Sequence, residues 1–170
     1  GIVMLDDIGK AEPHMATAVP LMGVDQVWQN HGIYGEGISI AIVDTGVDNS
    51  HVGLDDFDDN EWTNDLKVAA YYNAEQDSII CSENGLSGTF PCYPGQSLDS
   101  GNHGTHVAGI AAGTGTGEPA DDGTPHIGVA PKAHLVNVLS CCDGDIEDII
   151  RGMEWTIEYQ NLVQPNIRVL

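Results

Sequence analysis

Positive charge is scarce in this chain. Its 170 residues carry five Lys and Arg against 26 Asp and Glu, a formal net charge of −21. That balance excludes a nucleic-acid or anionic-membrane binder, because both surfaces are recognised through clustered basic side chains. Long apolar runs are also missing, and none approaches the ~18 residues of a membrane span. The opening residues Gly1 to Leu5 have neither a basic region nor the apolar length of a secretory signal. No internal repeat or long low-complexity segment occurs. What remains is a length that suits one domain around one hydrophobic core.

Cysteine occurs at four positions only. Cys81 and Cys92 bracket a loop from Ser82 to Pro91. A disulfide closing that loop suits an exported protein, and two free thiols fit the spacing equally well. Cys141 and Cys142 are adjacent, and the strain of a vicinal disulfide favours thiols there. The acidic excess makes a compact fold repel itself at low salt, and molar salt shortens the Debye length to about 3 Å. A saline source is one expectation. An acidic secreted protein that binds Ca²⁺ or uses charge for solubility is the other.

The apolar pattern predicts alternating strands and helices. Pro20 to Asn30 reads as a helix with Pro20 at its first position and Gly32 ending it. Ile38 to Val43 is continuously apolar, as in a strand buried on both faces of a parallel sheet. Lys67 to Tyr72, His134 to Leu139 and Ile167 to Leu170 read as further strands. His103 to Ala112 is small and apolar throughout, a closely packed helix. Ile146 to Tyr159 places Ile146, Ile149, Ile150, Met153 and Ile157 on one helical face. This order implies an α/β fold with a mainly parallel sheet and right-handed crossovers.

Two segments, 59 residues apart from Asp to His, carry the chemistry. Ala41-Ile42-Val43-Asp44-Thr45-Gly46 ends a strand in a carboxylate, and His103-Gly104-Thr105-His106-Val107-Ala108-Gly109 starts a helix with an imidazole. Sites in open α/β sheets form outside the carboxyl ends of strands, which is where Asp44 falls. A carboxylate that orients an imidazole is two-thirds of a Ser-His-Asp hydrolase. Other readings fit less well. His103 and His106 form H-x-x-H, but zincins use a wider spacing with an intervening Glu. Gly113 to Gly117 alternates Gly and Thr after a helix instead of a strand, with Glu118 where a dinucleotide loop needs Gly.

These segments resemble the Asp and His motifs of the subtilisin-like serine proteases, the subtilases. Gly128-Val129-Ala130-Pro131-Lys132-Ala133 and Gly152-Met153-Glu154-Trp155 resemble later segments of that family. The order Asp then His is that of subtilisin. The resemblance implies a subtilisin-like three-layer α/β fold over residues 17–170. It implies that residues 1–16 are the end of a propeptide, with self-cleavage near Met15 to Ala18, an ordinary N-terminal arm being the alternative. It gives Asp44 and His103 catalytic roles and leaves His106 structural. It places Leu139, Cys142, Asp143 and Gly144 along the substrate subsites, where Asp143 would favour basic side chains. The expected partners are polypeptide substrates and the protein's own propeptide, and the expected location is extracellular or at the cell surface.

The family's G-T-S-[MA] nucleophile segment and its oxyanion Asn do not occur in these residues, so the chain is expected to be a truncated N-terminal portion, inactive by itself. A non-catalytic, truncated peptide-binding module is the alternative. No cofactor is expected for the chemistry. Structural Ca²⁺ is possible, with Asp55 to Asn60 and Glu118 to Asp122 as candidate loops. The family's usual Ca²⁺ aspartate after the Asp motif aligns with Gly53.

Overall fold

A computed structural model describes residues 15–58, 65–117, 123, 125–141 and 145–170. The element order is α1 (Met15–Leu21), α2 (Val24–His31), β1 (Ser39–Asp44), β2 (Val68–Asn73), β3 (Ser78–Ser82), α3 (His103–Ala112), β4 (His134–Leu139), α4 (Ile146–Tyr159) and β5 (Ile167–Val169). The sheet order is β3-β2-β4-β1-β5. Strands β2, β4, β1 and β5 run parallel, and β3 joins β2 antiparallel as an edge. The expected mainly parallel α/β sheet is present. The β2–β3 hairpin was not expected from the sequence.

Side chains alternate across the sheet, which builds two core layers. Ile40, Ile42, Leu135 and Leu139 face one layer with Ala108 and Ala112 of α3. Ala41, Val136 and Val138 face the other with Trp155 of α4. A register shift between Val68 and Ala70 changes the parity of β2 partway along, so Val68 joins the first layer and Tyr72 the second. Trp155 stacks on Tyr72 at 4.6 Å and on Tyr159 at 4.9 Å between ring centroids. These layers make the expected helix–sheet–helix sandwich.

Two helices depart from their sequence pattern. The helix expected over Pro20 to Asn30 is two helices, broken at Gly23, whose φ of 73° is left-handed. Pro20 lies in the last turn of α1 instead of starting a helix. Gly32 ends α2 as expected. Helix α4 has the expected ends, but its apolar stripe faces outward. Asp148, Gly152, Trp155 and Thr156 are buried, while Ile146, Ile150, Met153 and Ile157 are exposed. Periodicity located that helix and pointed to the wrong face.

Cys81 and Cys92 form a disulfide. The Asn49 side chain fixes the disulfide loop from the other side. Its Nδ2 donates to the Cys92 and Tyr93 carbonyls at 2.8 and 2.9 Å, and its Oδ1 accepts from Gly95 and Ser97 N–H at 2.9 and 3.1 Å. All four hydrogen-bonding positions of this buried amide are used.

Lys67 is fully buried. Its Nζ donates to the Pro131 and Ala133 carbonyls at 2.7 and 3.0 Å and sits 4.3 Å from the Phe57 ring centroid. Burial lowers its pKa to about 7. Burial, with Lys67 beside it, lowers that of His134 to about 4. An unfolded lysine titrates near 10.4, so between about pH 7 and 10.4 the unfolded chain binds a proton that the folded one has released. Stability contributed by this site therefore rises with pH across that window. Urea midpoints measured from pH 7 to 9 should climb for the wild type and run flatter for Lys67→Met. Equal slopes would remove Lys67 as the source.

Candidate active site

Strand β1 ends at Asp44 because the next residues make a turn. Gly46, with φ 111°, brings the chain back beside Leu98 and Asp99. A Cβ on Gly46 would lie 2.1 Å from the Leu98 carbonyl oxygen, so only glycine fits. Helix α3 then crosses close to this turn. A Cβ on Gly104 would lie 2.0 Å from the Gly46 carbonyl oxygen and 3.1 Å from the Asp44 Cβ. The second residue of the His motif is thus glycine because the Asp turn occupies the space of a side chain.

This approach brings His103 onto Asp44. Nδ1 lies 2.8 Å from one carboxylate oxygen and 2.9 Å from the other. The Asp44 side chain is 15% exposed and that of His103 is 67% exposed. A sheltered carboxylate therefore holds an accessible imidazole by one ring nitrogen. In the tautomer that donates from Nδ1, Nε2 is the basic nitrogen. Asp44 Oδ1 also accepts from the Thr45 backbone N–H at 2.7 Å, which fixes the carboxylate plane.

A second carboxylate lies behind this pair. Asp99 Oδ1 accepts from Thr45 Oγ1, Gly101 N–H and Asn102 N–H at 2.7, 2.8 and 2.9 Å. Its Oδ2 accepts from Thr105 N–H and Thr105 Oγ1 at 2.8 and 2.6 Å. Burial alone would raise the Asp99 pKa. The bonds from Thr105, Thr45 and Gly101 outweigh burial and hold it below the ordinary carboxylate value. Sequence reasoning did not single out Asp99. Its signal was a lone Asp four residues before His103, hard to distinguish among 26 acids.

Of the other expected site residues, Leu139 ends β4 in register with Asp44. Its side chain is buried within the first core layer. Cys142, Asp143 and Gly144 lie outside the described residues, as does Glu118 to Asp122. His106 is exposed and lines a groove of about 640 Å³ along α3, together with Asp48, His51, Val52, Ile110 and His126. Neither Asp44 nor His103 lines that groove.

Gly53 occupies the position at which the family resemblance expects a Ca²⁺-binding aspartate. Gly53 has no carboxylate to offer, and the neighbouring carbonyls already accept hydrogen bonds. Thr116 Oγ1 donates to the Val52 carbonyl at 2.6 Å, and Thr114 N–H donates to that of Gly53 at 3.1 Å. The two threonine hydroxyls are themselves bonded at 2.7 Å. Asp56, Asp58 and Asp65 do bring carboxylate oxygens within 4.8 Å of one another. Such hard oxygen donors suit Ca²⁺ better than a softer metal.

Comparison with known proteins places the chain in a family. The sequence profile described as the subtilase family (peptidase S8) matches residues 35–170. The chain belongs to the subtilase family. The PII-type proteinase of Lacticaseibacillus paracasei is 32% identical over 136 residues, covering 73% of this chain and 7% of that protein. Subtilisin DY of Bacillus licheniformis is 29% identical over 143 residues, covering 82% of this chain and 39% of that protein. Among solved structures, the Clostridium perfringens CspB protease superposes with a TM-score of 0.61 at 25% identity. That match covers 82% of this chain and 30% of the other. The chain thus spans about 7% of the length of the first proteinases it matches.

The close approach of α3 to the Asp turn gives a direct test. Gly104→Ala should separate His103 from Asp44 and destabilise the fold by about 1–3 kcal/mol. Gly109→Ala on the same helix is the control, because a Cβ there meets nothing within 4 Å. It should be neutral or stabilising, by up to about 1 kcal/mol. Denaturation midpoints that rank the two variants equally would contradict the packing account.

Proposed function

We propose that the protein carrying this sequence is a subtilisin-like serine endopeptidase and that Asp44 and His103 are two members of its triad. The observation that carries this reading is His103 Nδ1 at 2.8 and 2.9 Å from the two Asp44 oxygens. The subtilase membership of the chain supports it.

In this reading Asp44 holds the Nδ1–H tautomer and stabilises the imidazolium that forms during acylation. His103 Nε2 takes the proton from a serine hydroxyl as the serine attacks the scissile carbonyl. It then returns that proton to the leaving amine. The serine and the oxyanion donor come from sequence other than residues 1–170, which hold no G-T-S-[MA] segment. These residues alone would then be inactive. The substrate is a polypeptide, and Leu139, in register with Asp44 at the end of β4, would line its path together with Cys142, Asp143 and Gly144. The acyl-transfer chemistry of such a triad uses no metal ion. A structural calcium, where one binds, would find its ligands at Asp56, Asp58 and Asp65.

A fluorophosphonate probe should label the full-length protein, and His103→Ala should abolish labelling. Asp44→Asn should lower kcat by about 10⁴-fold, because the imidazole loses its orienting acceptor. A full-length protein that binds peptides but remains unlabelled and turns none of them over would replace the endopeptidase by a peptide-binding module.

An extracellular location accords with the Cys81–Cys92 disulfide, because such bonds persist in oxidising compartments. Among the described residues, no helix is long and apolar enough to cross a membrane. The propeptide assignment of residues 1–16 belongs to the same reading; residues 1–14 lie outside the described structure. We assign the acidic excess to a saline setting. The melting temperature should therefore rise between 0.1 M and 2 M KCl, and a flat or falling response would count against that setting.

A further inference from the structure

We propose that Asp99 is a positioning residue for the Asp44–His103 pair, fastening the Asp turn and the first turn of α3 into one rigid piece. The inference rests on the triad reading above and extends it to a residue outside the triad.

Five hydrogen bonds converge on the two Asp99 oxygens, from Thr45 Oγ1, Gly101 N–H, Asn102 N–H, Thr105 N–H and Thr105 Oγ1. An ionised carboxylate is acceptor-only, so it can receive all five. An asparagine cannot. With its amide nitrogen at either oxygen position, an N–H would face at least two other donors.

Each bond reaches one side of the catalytic pair. Thr45 directly follows Asp44, and its backbone N–H donates to Asp44 Oδ1. The Thr45 hydroxyl accepts from the Gly104 N–H at 3.0 Å while donating to Asp99. Gly104 directly follows His103. Thr105 Oγ1 donates to Asp99 and accepts from the Asp48 N–H at 3.0 Å, tying α3 to the segment after the Asp turn a second time. Asp99 is therefore one hydroxyl away from the neighbours of both Asp44 and His103. It touches neither of their side chains, so its effect must pass through their placement.

Placement errors of about 1 Å cost on the order of 100-fold in rate. Asp99→Asn in the full-length protein should lower kcat per phosphonate-titrated active site by about 10–100-fold, with KM changed less than about 3-fold. Thr45→Val, which removes only the hydroxyl bridge, should lower kcat in the same direction by a smaller factor. The double variant Asp44→Asn/Asp99→Asn separates positioning from general structure. Once Asp44 has lost its function, losing Asp99 should cost less than about 3-fold more.

Wild-type kcat per titrated site in Asp99→Asn would overturn the proposal, as would full additivity with Asp44→Asn. Should Asp99→Asn fail to fold, Thr45→Val decides alone, and an unchanged kcat there overturns the proposal. If Asp44→Asn keeps wild-type kcat, the triad reading fails first and takes this inference with it. If Asp44→Asn is impaired and Asp99→Asn is not, only this inference fails.

Discussion

An α-helix begins with N–H groups that no carbonyl of its own can reach. A side chain at the N-cap usually meets one of them. Helix α3 is capped differently. Its N-cap, Asn102, is left-handed with φ 61° and makes no side-chain cap. The Gly104 N–H is met by the Thr45 hydroxyl, and the Thr105 N–H by the Asp99 carboxylate. Thr45 follows β1, and Asp99, in the turn just before α3, is itself bonded to the Thr45 hydroxyl. The Thr45 hydroxyl thus joins the start of the helix to the end of β1, directly through Gly104 and again through Asp99. Capping and assembly of the Asp44–His103 pair are one event, and the geometry of the pair follows from it.

The sheet makes that event possible. Strands β1 and β4 pair in parallel from Ser39 with His134 to Asp44 with Leu139. Asp44 thereby sits at the carboxyl rim, where the strand stops and the loops gather. Asn137 on β4 reaches into those loops, donating to Ser97 Oγ at 2.6 Å, and Ser97 donates to the Val47 carbonyl at 2.6 Å. Asn49 then carries the connection to the disulfide loop. A chain of buried polar contacts thus runs from the sheet interior to Cys92, behind the Asp turn. Such networks fix one arrangement because each unmade bond in a buried site is costly.

The elements legible in the sequence were those whose own residues decide them. Helices α3 and α4 have the limits their composition and period suggest, and β4 has the limits of its apolar run. The pairing of Asp44 with His103 was legible because both motifs are local and unbroken. Facing was less legible. The isoleucines of α4 have perfect helical spacing, yet the helix meets the sheet through Gly152 and Trp155, since a small residue and a flat ring allow close approach. The break at Gly23 is a local left-handed turn that the helical spacing of the apolar residues masked, whereas the antiparallel strand β3 depends on its pairing with β2. Asp99 escaped notice for a related reason. Its importance lies in five donors supplied by four residues, and none of them is a sequence signature.

The five cations illustrate how the charge imbalance acts on the folded molecule. Lys67 is buried against the Pro131 and Ala133 carbonyl groups. Arg151 is engaged by Asp148 and by the Ala74 carbonyl. Lys132 pairs with Glu36 at 3.2 Å and lies 5.0 Å from the Tyr34 ring centroid. Arg168 donates to Asn161 at 3.3 Å. Lys10 is outside the described residues. Among the described residues, positive charge is therefore used locally, for packing and short pairs. The remaining repulsion is long-ranged, so dissolved ions can screen it where the protein's own side chains do not. The hydrogen bonds at the Asp44–His103 pair are short and partly sheltered, and screening of that kind leaves them nearly unchanged. Salt would thus act on the stability of the whole while the local geometry of the pair stays fixed.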